Sequence, residues 1–336
     1  MENKPLSDRT LICIPVFNDW ESVLLLLDEL RGVPLGLDGP AGIVLVDDGS
    51  TDPPPSGRLA AIAGFASIEI LTLRRNVGHQ RAITLGLAYI HKHRPCRVVV
   101  VMDGDGEDGA RDVPLLLERC RETGYSSIVF AKRTRRSEGP LFLVGYHGFK
   151  AIHYLLTGLR VEVGNFSAIP GVLLDRLVGI SEMWNHYAAA VIHARLPVEK
   201  VPIPRRRRLL GSPKMRPTDL VIHGLSAISV YGATIGVRLL MLSGLLMLLA
   251  TAAILGLAGM RWLTSIPIPS WAMTTAGFLV MGLLNLLLLS MIFVFFVLQS
   301  RNIANFLPIR DWEHYVARRE VLRSGDGQSP LPPHPR

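Results

Sequence analysis

Residues 98–109 read VVVVMDGDGEDG and decide the fold of this 336-residue chain. The four valines form a short continuous apolar run, which is typical of a strand buried on both faces of a parallel sheet. The run leads into a loop with four carboxylates. In parallel sheets, ligands bind beyond the carboxyl ends of the strands. The stretch therefore predicts a buried strand with an acidic loop at the binding edge of the sheet.

The surrounding N-terminal half alternates between strand-like and helix-like runs. Short β-branched runs predict strands over residues 10–16, 43–46, 68–73, 98–102 and 128–131, and amphipathic runs predict helices over 19–31, 77–91 and 112–123. Short apolar strands between amphipathic helices indicate an α/β domain whose mostly parallel central sheet is covered on both faces.

The acidic loop fits a divalent cation better than the other ligands its pattern suggests. It contains a G-x-G-x-x-G spacing, but its carboxylates would repel the pyrophosphate of a dinucleotide. It is no EF-hand either, because the sixth position counted from Asp103 is Asp108 and the twelfth is Pro114. Asp103 and Asp105 remain as a pair of hard oxygen ligands suited to Mg²⁺ or Mn²⁺. A solvated acidic turn is the alternative.

Polar motifs also follow the other predicted strands. They are PVFN at 15–18, DDGSTD at 47–52 and NVGH at 76–79. In this order, and together with Asp103-Gly104-Asp105, they resemble glycosyltransferase family 2, which has the GT-A fold. The resemblance covers roughly the first 130 residues of the chain.

The resemblance implies a nucleotide-sugar transferase that inverts the anomeric centre and uses Mg²⁺ or Mn²⁺. Pro15, Asp47 and Asp48 would then lie at the nucleotide base and ribose, with Gly78 also in the nucleotide site. Asp103 and Asp105 would hold ribose and metal. Carboxylates can accept hydrogen bonds from base N–H groups and ribose hydroxyls, which agrees with these roles.

The composition indicates a soluble domain joined to membrane-spanning segments. Hydrophobic residues make up 49% of the chain, charged residues 19%, and the mean hydropathy is +0.32. These values exclude a disordered chain, collagen and a small disulfide scaffold. A formal charge of +8 favours an anionic partner. Cys13 and Cys96 lie in or beside apolar runs, which indicates buried free thiols in a reducing compartment.

Two apolar runs, residues 239–258 and 278–298, are each long enough to span a bilayer. Trp262 and Trp271 flank the loop between them like interfacial anchors. Basic residues precede the first run and follow the second, so we expect two spans with both termini in the cytoplasm. The N-terminus resembles no signal peptide. In a bacterium the membrane would be the inner (plasma) membrane.

The expected organisation has four parts. A cytosolic GT-A domain covers residues 1–215, an amphipathic interfacial segment 216–236, a two-helix transmembrane hairpin 237–300 and a cytosolic tail 301–336, disordered from about 324. The expected fold is thus a GT-A nucleotide-binding domain followed by an interfacial helix and two transmembrane helices. A homo-oligomer is left open.

The basic stretch at residues 200–216 narrows the subgroup. Arg205, Arg208, Gly211 and Lys214 have the spacing R-x-x-R-x-x-G-x-x-K. This resembles the segment before the membrane helices of polyprenyl-phosphate glycosyltransferases, the dolichyl-phosphate mannosyltransferase-like group. The resemblance implies that Arg205, Arg208, Lys214 and Arg133 compensate phosphate charge, with a polyprenyl phosphate as acceptor. A plain polybasic patch against anionic lipid is the alternative.

The chain departs from the subgroup pattern on the acceptor side. Phe166 is followed by Ser167 where the family usually has arginine, Met215 replaces a tyrosine, and Glu107 replaces a glutamine. Two other functions therefore stay open: transfer to a lipid hydroxyl with Glu182 as general base, or a non-catalytic membrane scaffold. Nucleic-acid binding is not expected, because the basic cluster lacks interleaved aromatics. His79, His186 and His193 lack the spacing of metal ligands, and we expect structural or solvated rather than catalytic roles for them.

Overall fold

The computed structural model describes residues 9–35, 39–133, 148, 151–158, 163–204, 206–210, 217–264, 269–300 and 306–324. The chain divides into two compact units. The sheet unit comprises residues 1–147, 161–230 and 306–336, and the helical unit comprises 148–160 and 231–305.

The sheet unit contains one eight-stranded sheet in the order β7-β5-β6-β4-β1-β2-β3-β8. The strands are β1 Thr10–Val16, β2 Gly42–Asp47, β3 Ser67–Leu73, β4 Val98–Val101, β5 Ile128–Arg133, β6 Ser167–Pro170, β7 Val198–Ile203 and β8 Val316–Ser324. The central strands β3, β2, β1 and β4 are parallel, whereas β6 and β8 run antiparallel to their neighbours. The prediction of a mixed α/β fold with a mostly parallel central sheet is confirmed.

The helices of the sheet unit are α1 Trp20–Leu30, α2 Ser56–Ala61, α3 His79–His93, α4 Val113–Glu122, α5 Gly171–Val178, α6 Tyr187–His193, α7 Pro217–Ser229 and α10 Pro308–Asp311. Helix α3 begins two residues later than the sequence predicts. Gly78 has a φ of +95°, a left-handed conformation that ends the preceding loop and cannot be part of the helix.

Both faces of the sheet are buried. On one face, α3, α5 and α6 cover the strands, and Tyr89 and Tyr187 are fully buried there. On the other face, α1 and α4 pack through Leu27 and Leu116. The three cysteines, Cys13, Cys96 and Cys120, are free thiols inside this core. Burial raises their pKa to about 12, so at neutral pH they behave as small apolar side chains.

Strand β8 was not predicted from the sequence. Its residues read VARREVLRS, and the charges conceal the alternation of a strand. It pairs antiparallel with β3 at the edge of the sheet, where charged side chains are common because they discourage pairing with other chains. The buried carboxylate of Glu69 on β3 forms ion pairs with Arg319 of β8 and with Arg94. The chain that follows the second long helix is therefore part of the sheet unit.

The helical unit contains two long apolar helices, α8 Gly232–Leu263 and α9 Ser270–Ser300. Both are long and apolar enough to span a membrane. The most apolar 18 residues have a mean hydropathy of 2.3 in α8 and 2.6 in α9, and in each helix only 6% of these residues are buried. They pack closely at Gly236, where a Cβ atom would lie 3.1 Å from Val294. The two helices are candidate membrane spans and extend beyond the apolar runs seen in the sequence.

The helical unit also contains a helical segment at residues 151–157, for which the sequence interpretation assigned no membrane role. His153 is buried against the ring of Tyr231, with centroids 5.9 Å apart. Arg238 donates a hydrogen bond to the carbonyl of Leu156 at 3.1 Å. Residues 151–158 thus associate with α8, although they lie inside the stretch expected to belong to the cytosolic domain.

Candidate active site

The carboxyl ends of β1, β2 and β4 meet at one edge of the sheet. Val16 pairs with Asp47 across β1 and β2, and Met102 donates its backbone N–H to the carbonyl of Cys13 at 3.2 Å. The loops after β1 and β2 are joined by Asn18, whose side-chain oxygen accepts the backbone N–H of Thr51 at 2.9 Å. The structure therefore brings together the strand-end motifs that the sequence singled out.

Asp48 fixes the loop that leads into α3. Its carboxylate accepts backbone N–H groups from Val77 at 2.7 Å and from Gly78 at 2.9 Å, and only 2% of the residue is exposed. Burial raises the pKa of Asp48, and the two amide hydrogen bonds partly offset that rise. Because both of its oxygens hold backbone groups, Asp48 shapes the walls of the site.

Asp47 and Pro15 lie beside that loop. Asp47 accepts the backbone N–H of Ser50 at 2.9 Å, which closes the turn after β2. Gly49 in this turn has a φ of +69°, and a Cβ atom there would lie 2.6 Å from the backbone of Arg75 and Asn76. Only glycine fits this close approach. Pro15 pairs with Val46 on the adjoining strand.

The acidic loop is organised around Asp108, which sequence analysis did not assign to the site. One oxygen of the buried Asp108 accepts the backbone N–H of Asp103 at 3.0 Å. The other accepts a hydrogen bond from Arg133 at 3.1 Å, which places this predicted arginine next to the loop. Asp105 in turn accepts the backbone N–H of Glu107 at 3.0 Å.

The described part of the basic segment lies directly on the acidic loop. Nη1 of Arg208 lies 3.5 Å from Oδ2 of Asp105, and Arg208 also forms an ion pair with Asp19 of the β1–α1 loop. The backbone N–H of Leu209 donates to the carbonyl of Asp105 at 3.0 Å. Sequence reasoning missed Asp19, since nothing in its neighbourhood indicates a partner so distant in the chain. Arg205 and Lys214 lie outside the described residues.

His79 also lies beside the acidic loop, although a structural or solvated role was expected from the sequence. Its Nε2 atom lies 3.0 Å from Oδ1 of Asp103. Desolvation, the largest single effect, would lower the pKa of His79, but the charge of Asp103, its hydrogen bond to the ring and the charges of Asp105 and Asp108 together outweigh it and raise the pKa. The position of His79 in the sequence could have indicated this, because His79 directly follows Gly78 at the end of the loop after β3.

His186 lies against His223 of α7, with ring centroids 4.7 Å apart.

The site carries more negative than positive charge. Four carboxylates, those of Asp103, Asp105, Glu107 and Asp108, face the guanidinium groups of Arg133 and Arg208. Burial, and next the charge of Asp103, raise the pKa of Asp105 and of Asp108. A divalent cation would relieve this repulsion, and the side chains of Asp103 and Asp105 remain 24% and 20% exposed.

The donor set therefore fits a hard divalent cation that shares its coordination with substrate oxygens. Among the described residues, no group of three or more His, Cys, Asp or Glu side chains is arranged to enclose a metal by itself. An open site of this kind suits Mg²⁺ or Mn²⁺ bound through one or two carboxylates plus phosphate oxygens.

Glu182, the candidate base for a hydroxyl acceptor, lies in the short 3₁₀ turn Ser181–Trp184. Its carboxylate accepts a hydrogen bond from the hydroxyl of Ser181 at 3.0 Å. Ser167, which stands where the family usually has arginine, shares a hydrogen bond of 2.7 Å with the buried hydroxyl of Tyr187. Ser167 is therefore buried in the core of the sheet unit, where it bonds Tyr187.

Residues 11–172 match the family model of glycosyl transferase family 2. The resemblance seen in the sequence is thereby confirmed.

The curated relatives match over the N-terminal part of the chain. Undecaprenyl-phosphate 4-deoxy-4-formamido-L-arabinose transferase of Serratia proteamaculans (strain 568) is 31% identical over 130 residues, 38% of each chain. Dodecaprenyl-phosphate galacturonate synthase of Rhizobium johnstonii is 26% identical over 137 residues, 40% of this chain and 39% of the relative. The match therefore spans about two fifths of the length of these relatives.

Among solved structures, glucosyl-3-phosphoglycerate synthase from Mycobacterium tuberculosis, in complex with Mn²⁺, UDP-glucose and phosphoglyceric acid, is similar with a TM-score of 0.48. The two sequences are 17% identical, and the similarity covers 68% of this chain and 80% of the other.

Proposed function

We propose that this protein is a membrane-anchored inverting glycosyltransferase that moves a sugar from a nucleotide-diphosphate sugar to a polyprenyl phosphate at the cytoplasmic face of a membrane. The observation that carries the proposal is the meeting of the acidic loop with Arg133 and Arg208 at the strand-end edge of a family 2 domain. The names of the matched relatives, each of which includes a polyprenyl phosphate, support this class of acceptor.

The donor would lie along the strand-end edge. Pro15, Asp47 and Asp48 would border the base and ribose, and Gly78 would allow the nucleotide to approach the backbone closely. Asp103 and Asp105 would hold Mg²⁺ or Mn²⁺, which when bound neutralises the charge that develops on a departing diphosphate. Arg133, anchored on Asp108, adds a fixed positive charge beside that position.

The acceptor phosphate is already anionic at neutral pH and needs no general base. One of its oxygens attacks the anomeric carbon of the donor sugar from the face opposite the diphosphate. A new carbon–oxygen bond forms as the bond to the nucleotide diphosphate breaks, and the electron pair leaves on the diphosphate oxygen. Arg205, Arg208 and Lys214 would orient the acceptor and compensate its charge, and positioning of this kind lowers the barrier by pre-ordering the reactants.

A lipid acceptor would account for the presence of the helical unit. Helices α8 and α9 would cross the bilayer, with the sheet unit on the cytoplasmic side; in a bacterium this is the inner membrane. The outward face of α7 supports a position at the membrane surface, because Val221, Ile222 and Leu225 are each more than half exposed. Helix α7 directly precedes α8 in the sequence. An apolar face at this position fits an interfacial helix.

The proposal is tested with the full chain reconstituted in liposomes. A panel of nucleotide sugars is offered with undecaprenyl phosphate or with diacylglycerol, and the Asp105→Asn variant is the inactive control. We expect a lipid product only with undecaprenyl phosphate, and we expect mild acid to release its sugar because the sugar is bound through a phosphodiester. An acid-stable product on diacylglycerol would instead establish the hydroxyl acceptor, and no product with any donor would favour the scaffold.

A further inference from the structure

A chain of polar contacts runs from the N-terminus of α6 to the acidic loop. The backbone N–H of Tyr187 donates to Oε1 of Gln80 at 2.8 Å. Nε2 of Gln80 donates to Oδ1 of Asn165 at 3.0 Å. Nδ2 of Asn165 lies 3.1 Å from Nε2 of His79, and that nitrogen lies 3.0 Å from Oδ1 of Asp103. The contacts connect α6, the entry to β6 and the first turn of α3 with a candidate metal ligand.

We propose that His79 is a positioning residue, which holds the carboxylate of Asp103 in the orientation that binds the divalent cation. The inference rests on the proposed function, because it concerns the same metal site. It assigns a role to the last residue of the strand-end motif NVGH, to which the sequence analysis assigned none in the site.

The backbone fixes the orientation of both amides in the chain. A backbone N–H can only donate, so Gln80 must present its oxygen to Tyr187 and its NH₂ group to Asn165. Asn165 therefore presents its own NH₂ group to His79. Nε2 of His79 lies between this NH₂ group and the carboxylate of Asp103 and can bond only one of them: a lone pair would accept from Asn165, whereas an N–H donates to Asp103. The bond to the carboxylate is charge-assisted and therefore the stronger of the two, so the tautomer with the proton on Nε2 is the one that holds Asp103.

His79 itself cannot shift easily. It is the first residue of α3, and the two preceding amides, those of Val77 and Gly78, are held by the buried carboxylate of Asp48. On the other side of the contact, the backbone of Asp103 is held by Asp108. Both partners of the His79–Asp103 pair therefore stand on fixed supports, as an outer-sphere group must if it is to orient a metal ligand.

The test measures binding of Mn²⁺ to the full chain in detergent, from the electron paramagnetic resonance signal of the free ion, with and without added UDP or GDP. We expect His79→Ala to raise the Kd for Mn²⁺ by about tenfold or more, as loss of an outer-sphere hydrogen bond does at other metal sites. His79→Gln should restore most of the affinity, since its terminal NH₂ group can replace the imidazole Nε2 as a donor.

His91→Ala is the matched control. His91 also lies on α3 and also pairs with an aspartate, with Nε2 3.1 Å from Oδ1 of Asp175, but its partner lies on α5 and outside the acidic loop. We expect its Kd for Mn²⁺ to equal that of the unmodified protein.

A double-mutant cycle distinguishes positioning from a general structural role. If His79 acts through Asp103, His79→Ala will add nothing to the loss already caused by Asp103→Asn. Equal or tighter Mn²⁺ binding by His79→Ala, or full additivity in the cycle, would overturn the inference while leaving the proposed function intact. Failure of the unmodified protein to bind Mn²⁺ under any of these conditions would overturn the metal assignment and this inference together.

Discussion

Nη1 of Arg208 lies 3.5 Å from Oδ2 of Asp105, so the basic segment before the membrane helices contacts the acidic loop at the end of β4. The contact is reinforced by the main chain, because Arg206 and Leu209 donate their backbone N–H groups to the carbonyls of Glu107 and Asp105. A Cβ atom on Gly106 would lie 2.3 Å from Cγ of Leu209, so the two segments approach closely only because this residue is glycine.

The first prediction follows from this contact. Arg208→Gln removes a positive charge beside Asp105, and we expect glycosyl transfer to fall by about tenfold or more, since one charge-assisted contact contributes about 1.5–3 kcal/mol. Arg207→Gln is the control: Arg207 is adjacent in sequence and exposed, and the substitution changes the net charge equally. Its initial rate with undecaprenyl phosphate should stay within twofold of the unmodified protein. Equal losses in both variants would mean that only the overall charge of the segment matters.

The second prediction concerns the acidic loop itself. Asp105→Asn keeps the size of the side chain and removes its charge, and we expect transfer to fall by at least about 100-fold, because stabilisation of leaving-group charge contributes about 3 kcal/mol at single sites. Asp28→Asn is the control, since Asp28 is an exposed residue paired with Arg31 on α1. Rates are measured at saturating Mg²⁺ and again with chelator. An Asp105→Asn protein that retains full activity in chelator would rule out the metal role.

The central sheet could be predicted from the sequence because each parallel strand is a short β-branched run buried on both faces. Three strands outside this parallel centre could not be predicted. β6 has four residues, β7 carries charges and a proline, and β8 carries three arginines and a glutamate, so none shows the apolar run of a central strand. Their strand conformation depends on neighbours that are distant in the chain.

The same division holds for the site. Asp47, Asp48, Asp103 and Asp105 stand directly after strands, and the geometry of a parallel sheet predicts that such residues meet. The partners of these residues were not predictable. The pairing of Asp103 with His79, of Asp108 with Arg133 and of Arg208 with Asp19 depends on the packing of loops, which leaves no periodic signal in the sequence.

The third prediction concerns the attachment of β8. The carboxylate of Glu69 is buried between two arginines and accepts the hydroxyl of Tyr89 at 2.6 Å. Glu69→Gln leaves both arginines without their counter-charge, and removal of one partner from a buried pair costs about 3 kcal/mol. We expect the Tm in detergent, measured by differential scanning fluorimetry, to fall by about 5–10 °C. Glu320→Gln breaks only the pair with the exposed Arg318 and should change Tm little.

The fourth prediction concerns the three thiols. Burial raises the pKa of Cys13, Cys96 and Cys120 to about 12, so at pH 8 only about one thiol in ten thousand is ionised. Since the thiolate is the reactive form, we expect iodoacetamide to leave the folded protein unmodified and to label all three after unfolding in guanidinium. Leu115→Cys, at a half-exposed position of α4, serves as the positive control by intact mass. Labelling of a native cysteine at the rate of the control would contradict its burial.

The last prediction concerns the side of the membrane on which each segment lies. Residues 161–230 precede α8 and residues 306–324 follow α9, yet both belong to the sheet unit, and β8 pairs with β3 of its sheet. One folded unit cannot lie on both sides of a bilayer. If both helices cross the bilayer, they therefore leave from one side and return to it, and the turn between them lies on the other.

Because the native thiols are buried, single exposed cysteines can report this topology in an otherwise unmodified chain. We expect Leu115→Cys and Glu313→Cys to react with a membrane-impermeant maleimide from the same side of sealed vesicles, and Thr264→Cys, at the end of α8, to react only from the opposite side. Inside-out and right-side-out vesicles should give complementary patterns. If Thr264→Cys and Glu313→Cys were labelled from the same side, α8 and α9 would not both cross the bilayer, and a transferase that meets its lipid acceptor from a two-helix anchor would be excluded.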